Sequence, residues 1–245
     1  MRRWIAQVCL AVSLAAAPAR AEDVDLELVL LADATGSIDM DEIRLQRDGY
    51  AAAMADPGVQ RAIAEGAHGR IAVAYVEWAD AFSQDVVVDW MAIDGPDAAA
   101  AFGARLAAAP RRAWGRNAIG AALLKAVAMI REGPHEGFRK VIDFSADSAN
   151  SWSGPPIEAG RQAALAAGIT INGLAVLCRG CETGRPVGYD LEAAFRDRIV
   201  GGPGHFVVTA DGDAAFAAAV RRKLILEIAG LDPNAPAALA ALAGR

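Results

Sequence analysis

The sequence has few basic residues, and this shortage limits the kinds of partner that it can bind. Its 245 residues contain 24 Lys and Arg against 30 Asp and Glu, a net charge of −6. Three basic residues, Arg2, Arg3 and Arg20, lie in an N-terminal segment that we expect to be removed, which leaves 21 basic residues and a net charge of −9. A nucleic-acid-binding surface needs a surplus of positive charge to displace counterions from phosphate. We therefore expect no nucleic-acid partner.

Long apolar runs are lacking after the N-terminal segment, so the sequence predicts no stable membrane span. Residues 1–21 have the layout of a secretory signal, with a basic start, an apolar stretch from Trp4 to Ala17 and a small-residue cleavage motif that ends at Ala21. We predict cleavage near Ala21 and export of the product to a periplasm or out of the cell. We expect one domain over residues 22–230 and an Ala/Pro-rich C-terminal tail over residues 231–245.

Cysteine is also scarce. Cys9 lies in the predicted signal, so only Cys178 and Cys181 remain in the exported chain. Two cysteines this close in an oxidising compartment most simply form a local disulfide that closes a small loop. A redox role is the second hypothesis. A zinc site is the third, because the three histidines are scattered without metal-ligand spacing.

The motifs of common enzyme classes are absent. The loop from Gly115 to Gly120 is followed by Ala121 and Ala122, where a phosphate-binding loop requires Lys and then Ser or Thr. No G-x-G-x-x-G follows the first predicted strand, and the sequence has no G-x-S-x-G nucleophile motif. A phosphatase of the haloacid dehalogenase type would carry a second acid where Thr35 stands. We predict that the protein is not an enzyme, and a Mg²⁺-dependent phosphohydrolase remains a minor alternative.

Buried strands and helices alternate along the rest of the chain. Strands are predicted over residues 27–33, 70–78, 85–93, 140–145, 169–177 and 205–208, and helices over residues 39–54, 96–108, 118–131, 157–167, 191–200 and 214–229. The third strand follows the second after a short turn, so it must be antiparallel and lie at an edge. The pattern predicts an α/β fold: a doubly wound, mostly parallel six-stranded sheet with one antiparallel edge strand and helices on both faces. Asp56-Pro57-Gly58 is expected to end the first helix.

Oxygen-bearing side chains gather where these strands end. Asp33, Thr35 and Ser37 follow the first strand, Asp147 follows the fourth, and Asn117 precedes a helix on the same edge. Singly, these residues suit helix caps and turns. Together they offer carboxylate, hydroxyl and amide oxygens, which are the ligands that Mg²⁺ and other hard divalent ions prefer. The sequence therefore predicts a cation site at the carboxyl edge of the sheet.

This pattern resembles the metal-ion-dependent adhesion site of von Willebrand factor type A domains. The resemblance rests on Asp33-x-Thr35-x-Ser37 after an apolar strand, on the glycine-containing loop 115–119 and on Asp147, and it extends over most of the mature chain. Four further runs resemble an uncharacterised branch of secreted bacterial members that carries a domain-of-unknown-function label: residues 75–79, 169–174, 201–204 and 221–224.

The resemblance implies that Thr35 and Ser37 supply hydroxyl ligands, and that Asp33 and Asp147 hold Mg²⁺, Mn²⁺ or Ca²⁺ directly or through water. It also implies that a carboxylate of a protein partner fills an open position on the ion. Thr35 stands where the family usually has Ser, and Asn117 stands where it usually has Thr. An amide oxygen still ligates a hard ion. The alternative is a metal-independent scaffold with a degenerate ion site, which Asn117 favours more than Thr would.

Other side chains at this edge have two interpretations each. Glu77 is a candidate supporting acceptor beside the ion site, although a solvated strand-end acid is the interpretation that we favour. Trp78, Trp114 and Trp152 favour core packing or loop anchoring over a partner-binding rim. We also hypothesise that the loop from Cys178 to Asp190 shapes the choice of partner.

Overall fold

The computed structural model of the protein describes residues 21–177 and 187–233 and, beyond them, residues 235, 236, 238 and 242. The predicted disulfide between Cys178 and Cys181 lies outside the described residues. The same is true of the predicted signal peptide, except for its last residue, Ala21.

Strands and helices alternate along the described residues. The strands are β1 (Glu22–Asp33), β2 (Ile71–Trp78), β3 (Gln84–Ile93), β4 (His135–Ala146), β5 (Thr170–Leu177) and β6 (Val207–Asp211). The helices are α1 (Met40–Met54), α2 (Pro57–Ala64), α3 (Pro96–Ala108), α4 (Ile119–Glu132), α5 (Ile157–Ala166), α6 (Leu191–Arg198) and α7 (Asp213–Ala229). None of these helices combines the length and the apolar character that crossing a membrane requires.

The six strands form one sheet in the order β3-β2-β1-β4-β5-β6. All neighbouring strands run parallel except β2 and β3, which are antiparallel and put β3 at an edge. This arrangement confirms the predicted fold class. In a parallel sheet of this kind the carboxyl ends of the strands meet at one edge, where ligands usually bind.

The central strand β1 is buried on both faces because helices cover both sides of the sheet. Leu28 and Leu30 point to the side covered by α1, α2, α3 and α7, whereas Val29 and Leu31 point to the side covered by α4, α5 and α6. This alternation is the period of two that a strand imposes on its side chains. It explains why the sequence of β1 is a nearly continuous apolar run.

One part of the chain differs from expectation. The turn at Asp56-Pro57-Gly58 ends α1, but it also begins the short helix α2, which we did not predict. Asp56 caps α2 by accepting from the backbone N–H of Gly58 and Val59, and Pro57 occupies the first helical position, where its missing N–H costs nothing. In the tail, Ala238 is fully buried and Leu242 packs against the core, so neither residue lies free in solvent.

Candidate metal-binding site

The loop between β1 and α1 carries three of the predicted ligands. It leaves the sheet at Asp33 and ends at Asp39, whose carboxylate accepts from the backbone N–H of Asp41 and Glu42. The Glu42 carboxylate in turn accepts from the Asp39 N–H at 2.7 Å, which completes a capping box. The start of α1 therefore fixes the end of the loop, while the beginning of the loop continues the buried end of β1.

Within this loop the side chains turn towards one another. The Thr35 N–H donates to Asp33 Oδ1 at 2.9 Å, and the hydroxyl oxygens of Thr35 and Ser37 lie 3.2 Å apart. The Ser37 hydroxyl also hydrogen-bonds the carboxylate of Asp147, which follows β4. The structure thus brings together four of the five predicted ligands, from two adjacent strands.

Burial disfavours the charged form of both carboxylates, and the charge of Asp147 adds to this effect at Asp33. Asp33 is 2% exposed, and burial together with the negative charge of Asp147 raises the pKa of Asp33 to about 8. Burial also raises the pKa of Asp147, and the hydrogen bond from Ser37 offsets part of that rise. A bound cation would relieve both effects because it supplies the missing positive charge.

Unpartnered polar atoms at the site fit such an ion or its bound water. The Asp33 Oδ2, Gln46 Oε1 and Ser145 Oγ atoms are buried without a hydrogen-bond partner among the described residues. The three residues, with Asp147, line a cavity of about 30 Å³. That volume is close to the volume that one molecule occupies in liquid water, and the three unpartnered atoms are oxygens that can bind such a water. The carboxylate and hydroxyl oxygens present therefore fit a hard divalent ion, and the cavity has room for about one water molecule beside it.

Asn117 lies on a loop that touches the Asp33 loop. The Gly36 N–H donates to the Gly115 carbonyl at 2.8 Å, and this contact fixes where Asn117 stands. The backbone carbonyl of Asn117 accepts from the N–H groups of Trp152 and Ser153, at 2.7 and 3.2 Å. Its half-buried amide has no hydrogen bond to any described residue. The amide therefore remains available as a ligand.

Arg111 supports the loop between β1 and α1, residues 34–39, which we name the metal loop. The sequence did not predict this role. Its guanidinium donates to the carbonyl oxygens of Ala34 at 2.7 Å, Ile38 at 2.8 Å and Thr35 at 3.1 Å. It also stacks on the indole of Trp114, with 3.6 Å between the guanidinium carbon and the ring centroid. No local motif marks this residue, because its partners lie more than seventy positions earlier in the chain.

Glu77 has a structural partner beside the site. It is 1% exposed, and its two carboxylate oxygens accept from Arg47 of α1 at 2.7 and 3.0 Å. Arg47 also donates to the carbonyl oxygens of Ala109 and Pro110. The solvated acid that we favoured for Glu77 is therefore wrong, and the residue ties the end of β2 to α1.

The three tryptophans near this edge do not share one environment. Trp78 is fully buried and its indole N–H donates to the Ser145 carbonyl at 3.3 Å, which confirms core packing. Trp114 and Trp152 are 54% and 64% exposed, which excludes core packing for them and leaves loop anchoring, the other half of the favoured interpretation. Over the described ranges, no group of three or more His, Cys, Asp or Glu has a metal-binding arrangement. A cation at this edge would depend on two carboxylates and on neutral oxygens.

Solved structures with the same architecture define the class of the protein. A proximal thread matrix protein from the mussel byssus, solved with a zinc-occupied MIDAS motif, matches 85% of this chain and 48% of its own, with a TM-score of 0.59 and 15% identity. The vWF domain of the pili tip protein Mfa5 from Porphyromonas gingivalis matches 85% of this chain and 96% of its own, with a TM-score of 0.54 and 12% identity. The pilus adhesin SpaC from Lactobacillus rhamnosus GG matches 84% of this chain and 30% of its own, with a TM-score of 0.54 and 12% identity.

The protein therefore has the von Willebrand factor type A fold, and it spans slightly less than half of the mussel protein. It belongs to the family described as "Protein of unknown function (DUF1194)", whose sequence profile matches residues 23–232. No curated protein sequence is significantly similar to the chain.

Proposed function

We propose that the protein is an exported, non-enzymatic binding protein that engages a protein partner through a divalent cation. The ligands would be Asp33, Thr35, Ser37, Asn117 and Asp147, and Mg²⁺ is the ion that their oxygens suit best, with Mn²⁺ or Ca²⁺ as substitutes. When bound, the ion supplies an open coordination position that takes a carboxylate of the partner. The protein contributes the fixed geometry around that position.

The pairing of Asp33 with Asp147 carries this proposal. A buried carboxylate whose pKa is raised by burial and by the charge of a neighbouring carboxylate is costly to ionise unless a cation joins the two. The unpartnered Asp33 Oδ2 is a free ligand atom, and the small cavity beside it has room for a water molecule bound to the ion. The exposed hydroxyl of Ser37 leaves the site open to solvent on its outer side.

Two features support binding over catalysis. The chain has none of the nucleophile or nucleotide motifs that would pair with this site. The solved structures with this fold include an adhesin and a pili tip protein, and their likeness to this chain extends to the fold. The metal-independent scaffold remains the second candidate, and Asn117 in place of Thr is the observation that favours it.

Thermal unfolding of residues 22–245 tests the proposal. The chain is measured in EDTA and then with excess Mg²⁺, Mn²⁺ or Ca²⁺. A ligand that binds only the folded state stabilises it by RT ln(1 + [L]/Kd), about 2.7 kcal/mol at a hundredfold excess over Kd. We expect a metal-dependent rise in Tm that Ser37→Ala reduces and Asp147→Asn removes.

Ser148→Ala is the matched control, since it removes a hydroxyl from the adjacent loop outside the predicted ligand set. It is expected to keep the full rise in Tm. If no ion changes the Tm of the unsubstituted chain, the scaffold becomes the better hypothesis. Turnover of a generic phosphate ester that Asp33→Ala abolishes would instead favour the phosphohydrolase.

A further inference from the structure

Large apolar side chains that face solvent are concentrated at the metal-binding edge. Over the described ranges, six large hydrophobic residues are exposed, and five of them lie on segments at the carboxyl ends of the strands: Met40, Phe82, Trp114, Trp152 and Tyr189. Phe138 alone lies near the opposite edge, early in β4. Monomeric proteins seldom gather exposed apolar residues in this way unless the surface binds something.

Three loops join into one surface that carries the most exposed of these aromatic residues. We name it the aromatic platform; it comprises residues 80–83, 111–117 and 151–154. Phe82 is fully exposed, and Trp114 and Trp152 keep more than half of their surface in solvent. The platform adjoins the metal loop through the hydrogen bond from Gly36 to Gly115.

Hydrogen bonds between the loops hold the aromatic platform in place. The backbone N–H of Trp114 donates to Ser83 Oγ at 2.9 Å, and the Ser153 hydroxyl donates to Asp80 Oδ1 at 3.1 Å. The other Asp80 oxygen accepts from the Arg116 N–H at 3.3 Å. These contacts fix the loops before any partner arrives, so binding would cost little conformational entropy.

The aromatic platform is also cationic, on a protein whose net charge is negative. The segment 111–117 contains Arg111, Arg112 and Arg116 and no acid. Arg112 and Arg116 are exposed, and Arg116 lies over the Trp152 ring at 5.6 Å. Asp80 is the one acid in the three loops, and hydrogen bonds within the platform engage both of its oxygens. The surface therefore favours an anionic partner.

We infer that the aromatic platform binds an acidic protein segment that also carries aromatic or other apolar side chains. Trp, Tyr, Phe, Met and Arg are the residue types enriched in protein interfaces, and all of them occur at this edge. The inference rests on the proposed function, because it names the partner chemistry of the same edge. A carboxylate of the segment would reach the ion while its neighbours contact the aromatic platform.

A random copolymer of Glu and Tyr is the probe for this inference. Immobilised chain, residues 22–245, is titrated with the copolymer and separately with polygalacturonate, a carboxylate polysaccharide, in Mg²⁺ and in EDTA. The combined variant Phe82→Ser, Trp114→Ser, Trp152→Ser is compared with Phe138→Ser, which removes the exposed aromatic residue of the opposite edge. Calorimetric titration with Mn²⁺ checks that the combined variant still folds and binds metal.

We expect the copolymer to bind, and the combined variant to weaken its binding at least about tenfold while Phe138→Ser leaves it unchanged. Equal copolymer binding by the combined variant and the unsubstituted chain would overturn the inference, even if EDTA abolishes it. No copolymer binding, or binding of polygalacturonate alone, would overturn it too. Copolymer binding that persists in EDTA but is lost in the combined variant would support the aromatic platform and contradict the metal-dependent function.

Discussion

Arg111 and Trp114 form a stacked pair at the outer edge of the sheet, with 3.6 Å between the guanidinium carbon and the indole centroid. The N–H groups of the same guanidinium donate to the carbonyl oxygens of Ala34, Thr35 and Ile38. One side chain thus connects an exposed aromatic ring to the backbone that holds the candidate ion. We therefore expect contact at the aromatic ring to affect the order of the metal loop.

Arg111→Ala is expected to disturb the metal loop. The substitution removes four charge-assisted hydrogen bonds to backbone carbonyls, and we expect the free energy of unfolding to fall by about 2 kcal/mol because the side chain is only half-buried. Metal affinity should fall by about tenfold, or about 1.4 kcal/mol. Urea unfolding in EDTA and calorimetric titration with Mn²⁺ measure the two effects. Arg112→Ala, which changes the exposed neighbour, should leave both quantities nearly unchanged.

The buried pair of Arg47 and Glu77 predicts a large loss of stability when one partner is removed. Arg47→Ala leaves the Glu77 carboxylate without its partner in a place that is 1% exposed, so the free energy of unfolding should fall by about 3–5 kcal/mol. Arg44→Ala on the same helix removes an ion pair with Asp41 that is exposed to solvent. That control should cost about 0.5 kcal/mol or less. Similar urea midpoints for the two variants would contradict this account of Glu77.

Glu227 predicts that stability falls as pH rises from weakly acidic to neutral. It lies in α7 beside Lys223, which also pairs with Asp143, and burial raises the pKa of Glu227 from 4.5 to about 7. Between these two values the folded state binds more protons than the unfolded state. The folded state therefore loses stability as pH rises through this window, by at most about 1.4 kcal/mol per pH unit.

Glu227→Gln should remove this part of the pH dependence, because the amide stays neutral and its oxygen still accepts from Lys223 and Asn172. Urea unfolding in EDTA at pH 5, 6, 7 and 8 measures the difference between the variant and the unsubstituted chain. Glu132→Gln, at an exposed position at the end of α4, is the control and should run parallel to the unsubstituted chain. If the stability of Glu227→Gln still falls as pH rises through this window, another group causes the pH dependence.

Asn117 separates a working ion site from a degenerate one. If its amide oxygen is a ligand, Asn117→Ala should weaken Mn²⁺ binding by about tenfold, while Asn117→Thr, which restores an oxygen, should stay within about threefold. Neither substitution removes a hydrogen bond made by the side chain to a described residue, so the Tm in EDTA should hardly change. Calorimetric titration gives the answer. Unchanged affinity in Asn117→Ala would remove the residue from the ligand set.

The sequence predicted the sheet well because its strands are buried and most of them are separated by helices. β3 follows β2 so closely that only an antiparallel edge position was possible, and the structure confirms it. The helix α2 was missed because a proline such as Pro57 is compatible with two opposite predictions. It ends the helix before it, yet it is also favoured at the first position of the next helix. Here Asp56 supplies the N-cap with which α2 begins.

At the site, local and distant contacts were predictable to different degrees. Asp33, Thr35 and Ser37 stand in one turn, so their meeting follows from the end of a strand. The support from Arg111 and the pairing of Glu77 with Arg47 join residues thirty or more positions apart. Such contacts depend on how helices settle against the sheet, and no spacing in the sequence encodes them.

The position of β1 has a consequence for how the site is lost. This strand pairs with β2 and β4 along most of its length, and the N–H of Ala34 still donates to the Trp78 carbonyl beyond its end. Amide hydrogens of such a strand exchange with solvent only when the whole domain opens. The amides at the Asp33 end of the site should therefore exchange most slowly in the protein. The exchange rates of these same amides would then report both ion binding and global unfolding.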